Sequence, residues 1–181
     1  MELLNKDYSG CLKAAEDSRV VTATITTETL DRDGDVVKAA GIDLGPYRKN
    51  PIVLWQHDWR TPVGRAVELR GRNGGIEADV RFPSVGVSAK ADEVYGLIQE
   101  GVINTTSIGF MPLDYDYDET TGGFIITSAE LYEFSFVSVP SNRDAIISVR
   151  SAMASKLTPK THGSTAQRNR HIEVLNLRGI R

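Results

Sequence analysis

A single cysteine, Cys11, in 181 residues is too little for a disulfide framework or a multi-cysteine zinc or iron–sulfur site, and a lone thiol suits a reducing compartment. Long hydrophobic runs are also missing. No stretch nears the ~18–20 apolar residues of a membrane span, and the opening MELLNKDYSG has neither the basic start nor the apolar centre of a secretory signal. The chain is expected in the cytosol, with no membrane partner. No G-x-G-x-x-G follows a strand pattern and no G-x-x-x-x-G-K-[ST] occurs, so hydride and phosphoryl transfer lose their usual marks. Asp31-Arg32-Asp33-Gly34-Asp35 resembles the start of a calcium loop. However, Gly34 stands fourth instead of sixth, and Ile42 occupies the twelfth position where a bidentate Glu belongs. The segment is read as an acidic turn, and no metal or other cofactor is expected.

What charge there is divides unevenly. The net charge of −3 conceals a tail, residues 151–181, with six Lys and Arg and one acid, Glu173, which leaves the remainder at about −8. An acidic body argues against a nucleic-acid platform, whose affinity would come from Lys and Arg set against phosphates. The tail has no aromatic residue and is rich in Ser, Thr and Asn, a composition expected of a mobile segment. Residues 1–19 are polar with scattered Leu and are assigned to an N-terminal arm. Three regions follow: an arm over 1–19, a domain over 20–150 and a basic tail over 151–181.

Within the domain the pattern is mainly β. Val20–Thr27 is rich in β-branched residues that suit a pleated surface. Further strands are predicted over Ile52–Trp55, Val63–Leu69, Ile76–Phe82, Thr105–Leu113 and Gly123–Val139, separated by turn clusters such as Arg72-Asn73-Gly74-Gly75. Ser88–Glu100 is the one clear helix: Val87, Ala91, Val94 and Ile98 fall at helical spacing, Ser88 can cap the start and Gly101 the end. A weaker helical pattern covers Ala39–Lys49. The fold class is α+β, mainly β, as a small antiparallel barrel decorated by helices.

Two of the three histidines, His162 and His171, belong to the tail, so His57 stands alone in the body. It follows the apolar strand Ile52–Trp55 and is expected at a strand end, where a rigid scaffold can hold a general base; a structural His bonded to Asp58 is the alternative. A base needs a nucleophile. In Asn104–Phe110, Thr105, Ser107 and Gly109 share one strand face and Thr106, Ile108 and Phe110 the other. Ser107 thus lies among small residues, with Gly109 leaving room for a substrate backbone. In Leu131–Val137, Glu133 and Ser135 share a face while Tyr132, Phe134 and Phe136 take the other. Glu133 is an acid for His57, a solvated strand position, or a partner of Arg143 or Arg65.

These residues carry a resemblance. Asn50–Asp58 with Pro62-Val63-Gly64-Arg65, Thr106–Phe110, Leu131–Pro140 and the opening Asp31–Val37 together resemble the caudovirus prohead serine proteases of tailed phages, in order and spacing over about residues 20–150. The resemblance implies a serine protease with His57 as base and Ser107 as nucleophile. Its implied fold is similar to the herpesvirus capsid-maturation proteases, a barrel wrapped by helices. Glu133 matches the third member of the catalytic set, with Glu130 and Asp58 as rival acids.

The resemblance further implies phage capsid and scaffold proteins as substrates, the chain itself among the possible targets. Action would be inside the immature prohead in the bacterial cytoplasm, with a homo-oligomer as one form. A catalytically silent module of the same fold, serving capsid assembly, is the alternative. A nucleic-acid accessory acting through the basic tail is a third reading.

Overall fold

The computed structural model describes residues 19–148. The arm before Arg19, with Cys11, and the tail over 151–181, with its two histidines, lie outside the described residues. The β-branched run forms β1, Val20–Thr27, with Val21, Ala23 and Ile25 buried. Next come β2 at Val36–Val37, a 3-10 turn at Ala39–Gly41, β3 at Ile42–Asp43 and α1 at Gly45–Lys49. The helix expected over 39–49 is therefore cut to its last turn and a half. Pro46 suits only the start of a helix, and the residues before it are taken up by pairing: β2 and β3 run parallel to a later strand, as Val36 opposite Ile125 and Ile42 opposite Ala129. A Cβ on Gly41 would lie 1.9 Å from the Thr127 carbonyl oxygen, so only glycine lets the chain pass that close.

The strands β4 (Ile52–Trp55), β5 (Asp58–Arg72) and β6 (Gly75–Arg81) form an antiparallel meander that continues onto β1. Its β5–β6 turn is Asn73-Gly74, both at positive φ (46° and 72°), the conformation for which this pair is favoured in tight hairpins. Helix α2, Ala89–Gln99, occupies the predicted place. Ser88 Oγ accepts the Ala91 N–H at 3.2 Å, and Gly101 leaves the helix at φ +72°. Ala91, Val94 and Ile98 are buried as the spacing predicts, whereas Val87 precedes the helix and is exposed. The last strands are β7 (Thr105–Asp118), β8 (Gly123–Val137) and the short β9 (Ile147–Ser148).

β8 organises the sheet. β7 pairs with it antiparallel, while β2, β3 and β4 pair with it parallel. The sheet is therefore mixed, and the expected all-antiparallel arrangement is corrected. Parallel neighbours require a long crossover, and β5, β6, α2 and β7 supply it between β4 and β8. The paired strands run β2-β8-β4-β5-β6-β1-β9 without closing into a barrel, and an isolated bridge links Thr105 of β7 to Ile146.

The core lies between this sheet and α2. Phe134 and Phe136 of β8 are fully buried, and Phe82 stacks on Phe136 with ring centroids 5.4 Å apart while presenting an edge to Tyr95 at 5.1 Å. Arg19 seals the end of α2, pairing with Asp92 at 2.5 Å and lying over the Tyr95 ring.

Candidate active site

Trp55 pairs with Asp58 across the β4–β5 hairpin, so Gln56 and His57 form a two-residue connection. Both have positive φ, 55° and 58°, as a type I′ turn requires. His57 is thus held in a tight turn at the sheet end, a conformation that costs a non-glycine residue roughly 1–2 kcal/mol. Bonds to and beside β8 offset this cost: the Gln56 N–H donates to the Phe136 carbonyl at 3.0 Å and Gln56 Nε2 to Ser138 Oγ at 2.5 Å.

Within β8 the alternation of faces is interrupted. Gly109 of β7 lies opposite Glu133 and Phe110 opposite Leu131, which leaves Tyr132 as the extra residue of a bulge. Leu131, Phe134 and Phe136 are buried in the core while Tyr132 is exposed. Simple parity puts Tyr132 on the face of Phe134 and Phe136; the bulge leaves it exposed instead, which corrects that expectation. Glu133 and Ser135 do share a face, and both are buried.

The His57 ring meets Glu133 there, with Nδ1 2.7 Å from Oε1. A carboxylate can only accept, so Nδ1 carries the proton and donates it, leaving Nε2 as the acceptor. The second carboxylate oxygen, Oε2, accepts from Ser135 Oγ at 2.7 Å, and that same Oγ accepts the His57 backbone N–H at 3.0 Å. Gly109 makes the arrangement possible, because a Cβ there would fall 2.2 Å from Glu133 Oε1. The space expected for substrate backbone at Gly109 is filled by the acid. The hydrogen bond to Glu133 holds the His57 pKa above its ordinary value. Partial burial pulls it down, and the Glu133 charge adds to the rise.

Ser107 is opposite Ser135 in the β7–β8 register, and directly paired residues point to the same side of a sheet. It is buried to 9% exposure, and its hydroxyl has no hydrogen-bond partner among the described residues. Ser107 and His57 line one cavity of about 290 Å³, together with Ile108, Phe110 and the acidic turn. β8 lies between β4 and β7, so the carboxylate stands on the middle strand, with the His57 imidazole and the Ser107 hydroxyl brought from either side.

The rival acids are engaged otherwise. Asp58 accepts the Arg60 N–H at 3.0 Å and the Thr61 hydroxyl at 2.5 Å, and Glu130 does not meet His57. Neither Arg143 nor Arg65 pairs with Glu133 among the described residues. In the Asp31–Asp35 turn, Asp31 Oδ1 accepts the N–H groups of Asp33 and Asp35, each at 2.9 Å, and Ser141 Oγ donates to Asp31 and Asp33. This segment is an Asx-type turn on the wall of the Ser107 cavity.

Two residues escaped the sequence reading. Tyr47 of α1 donates its hydroxyl to the Ile52 carbonyl at 2.7 Å and packs beside Phe134. Burial first, and the Glu133 charge second, push that hydroxyl's pKa up. Ser135 is the other: the sequence placed it on the face of Glu133 but assigned it no part in the site. A second cavity of about 330 Å³, lined by Tyr47, Leu54, Trp59 and Tyr132, reaches Glu133, which does not line the cavity of His57 and Ser107.

Comparison with known proteins agrees with the resemblance. Residues 26–159 match the family described as caudovirus prohead serine protease. The chain is 40% identical over 131 residues to the prohead protease of Escherichia phage T5, covering 70% of this chain and 60% of that protein. It is 33% identical over 150 residues to the capsid polyprotein of Pseudomonas phage PAJU2, covering 79% of this chain and 22% of that one. The chain thus spans less than two thirds of the length of either relative.

Proposed function

The chain belongs to the caudovirus prohead serine protease family, and on that premise we propose that it is a serine endopeptidase of prohead maturation with Ser107 as nucleophile, His57 as general base and Glu133 as the orienting acid. The observation that carries this reading is the 2.7 Å contact between His57 Nδ1 and Glu133 Oε1, with His57 and Ser107 lining one cavity. Glu133 fixes the tautomer, so Nε2 can take the Ser107 proton as Oγ attacks the scissile carbonyl. The imidazolium then protonates the departing amine, and water releases the acyl group with His57 again as base. The buried carboxylate stabilises the positive ring that forms midway.

Capsid and scaffold segments are the proposed substrates, cut inside the prohead. The names of the two relatives, a prohead protease and a capsid polyprotein, support that setting. We take residues 20–150 as the protease domain. The Thr105–Ile146 bridge, flanked by the Thr106 N–H on the Ala145 carbonyl at 2.9 Å and the Ile147 N–H on the Asn104 carbonyl at 2.8 Å, supports reading the open sheet as a wrapped, barrel-like wall similar to that of the herpesvirus proteases.

The test is intact mass after incubation with a fluorophosphonate. One adduct is expected on the wild type, with none on Ser107→Ala and strongly slowed labelling of His57→Ala. Absence of an adduct from the wild type, with the protein folded, would favour the silent assembly module.

A further inference from the structure

Ser135 is fully buried near the C-terminal end of β8, and the acyl-transfer steps above make no use of it. A buried hydroxyl must be hydrogen-bonded, but an ordinary serine would satisfy this with a nearby backbone carbonyl. Ser135 is spent differently: its one proton goes to Glu133 Oε2 at 2.7 Å and its lone pair receives the His57 N–H at 3.0 Å. One oxygen atom therefore ties the backbone of the base, in its left-handed turn, to the carboxylate that the ring of that same base contacts. We infer that Ser135 is a positioning residue that holds His57 and Glu133 in a single geometry, closing a ring of contacts from the His57 main chain through Ser135 and Glu133 back to the His57 ring.

Two consequences follow when the hydroxyl is removed. The turn loses an anchor, so the imidazole is no longer fixed relative to Ser107. Glu133 also loses a donor to Oε2, which leaves more negative charge available to Oε1 and makes it a stronger acceptor for His57 Nδ1. A stronger acceptor favours the protonated ring, so the His57 titration moves to higher pH. Among the described residues, the other titratable groups beside the pair are Tyr47 of α1 and Glu130 of β8, which line the cavity that reaches Glu133, and Asp31, Asp33 and Asp35, which line that of His57; Asp58, next to His57 in the chain, is held by Arg60 and Thr61. None of them changes in the variants proposed.

The experiment uses the full chain as Ser135→Ala and as Ser135→Cys, which keeps the volume and only a weak donor. The His57 ring is titrated by NMR in a Ser107→Ala background, and fluorophosphonate labelling is followed against pH with Ser107 intact. For Ser135→Ala the His57 midpoint is expected to rise, the acid limb of labelling to rise with it, and the labelling rate at neutral pH to fall about 10- to 100-fold, as misplacing a positioned group does. Ser135→Cys is expected to lie between Ala and wild type, and it decides the matter if Ser135→Ala loses its thermal transition. A His57 midpoint unmoved in the folded variants overturns the inference even if labelling slows, because that is what a merely structural serine would give. The labelling arm rests on the proposed protease reading and the NMR arm does not, so a wild type that fails to label counts against that reading while the titration still judges Ser135.

Discussion

At the residue scale, the proposed chemistry depends on which nitrogen of His57 is free. Its pKa is raised, chiefly by the hydrogen bond to Glu133, and only the neutral ring can take a proton from Ser107. Labelling of Ser107 is therefore expected to fall as pH drops through that raised value, so the loss begins at a higher pH than for an ordinary histidine. Glu133→Gln removes the charge and is expected to move the limb to lower pH while slowing the rate; a pH–rate profile of the two proteins checks both. Gly109 gives a second expectation. Gly109→Ala must push the buried Glu133 carboxylate out of its place and is expected to slow labelling at least tenfold and to lower the Tm, since the hydrogen bonds of a buried charge are lost. Much of this was legible in advance. Period-two alternation alone put Ser107 with Gly109 and Glu133 with Ser135, because a strand has only two faces. What Gly109 makes room for was not legible, since the space is taken by a residue of another strand, 24 positions away in sequence but directly opposite in register.

Elements decide whether those residues meet. The β4–β5 turn was not foreseen as a turn because Gln56-His57 lacks the Asn-Gly signature present at Asn73-Gly74, although both pairs adopt positive φ. Tertiary bonds to β8 and Ser138 hold it where local preference does not. The bulge at Tyr132 was hidden for a similar reason: an extra residue is defined by the partner strand, and a single sequence reads on through it. By contrast α2 was read almost to the residue, as its cap, apolar spacing and terminal glycine are all local. β8 rests on Phe136, whose ring is buried against Phe82. Phe136→Ala is expected to cost about 3–5 kcal/mol in denaturant unfolding, whereas Ser107→Ala should change stability by less than about 1 kcal/mol. Comparing their Tm values separates a loss of fold from a loss of chemistry.

For the molecule as a whole, the mixed sheet is the feature that composition could not reveal. Alternating strands and one helix fit an antiparallel barrel equally well, and only pairing partners far apart in sequence distinguish the two. A chain ended after Arg150 is expected to keep the thermal transition and Ser107 labelling of the full chain, which differential scanning calorimetry and intact mass would check. Loss of either would place part of the basic tail within the folded domain.

The parallel pairing of β4 with β8 also governs timing. His57 and Glu133 stand 76 positions apart, and the acid belongs to the last long strand, which pairs with β4 on one side and β7 on the other. A nascent chain on the ribosome displays its histidine and then its serine well before the carboxylate emerges. The three are assembled only when the sheet is essentially complete. On the proposed protease reading, such late assembly leaves an unfinished chain without its complete catalytic set during synthesis.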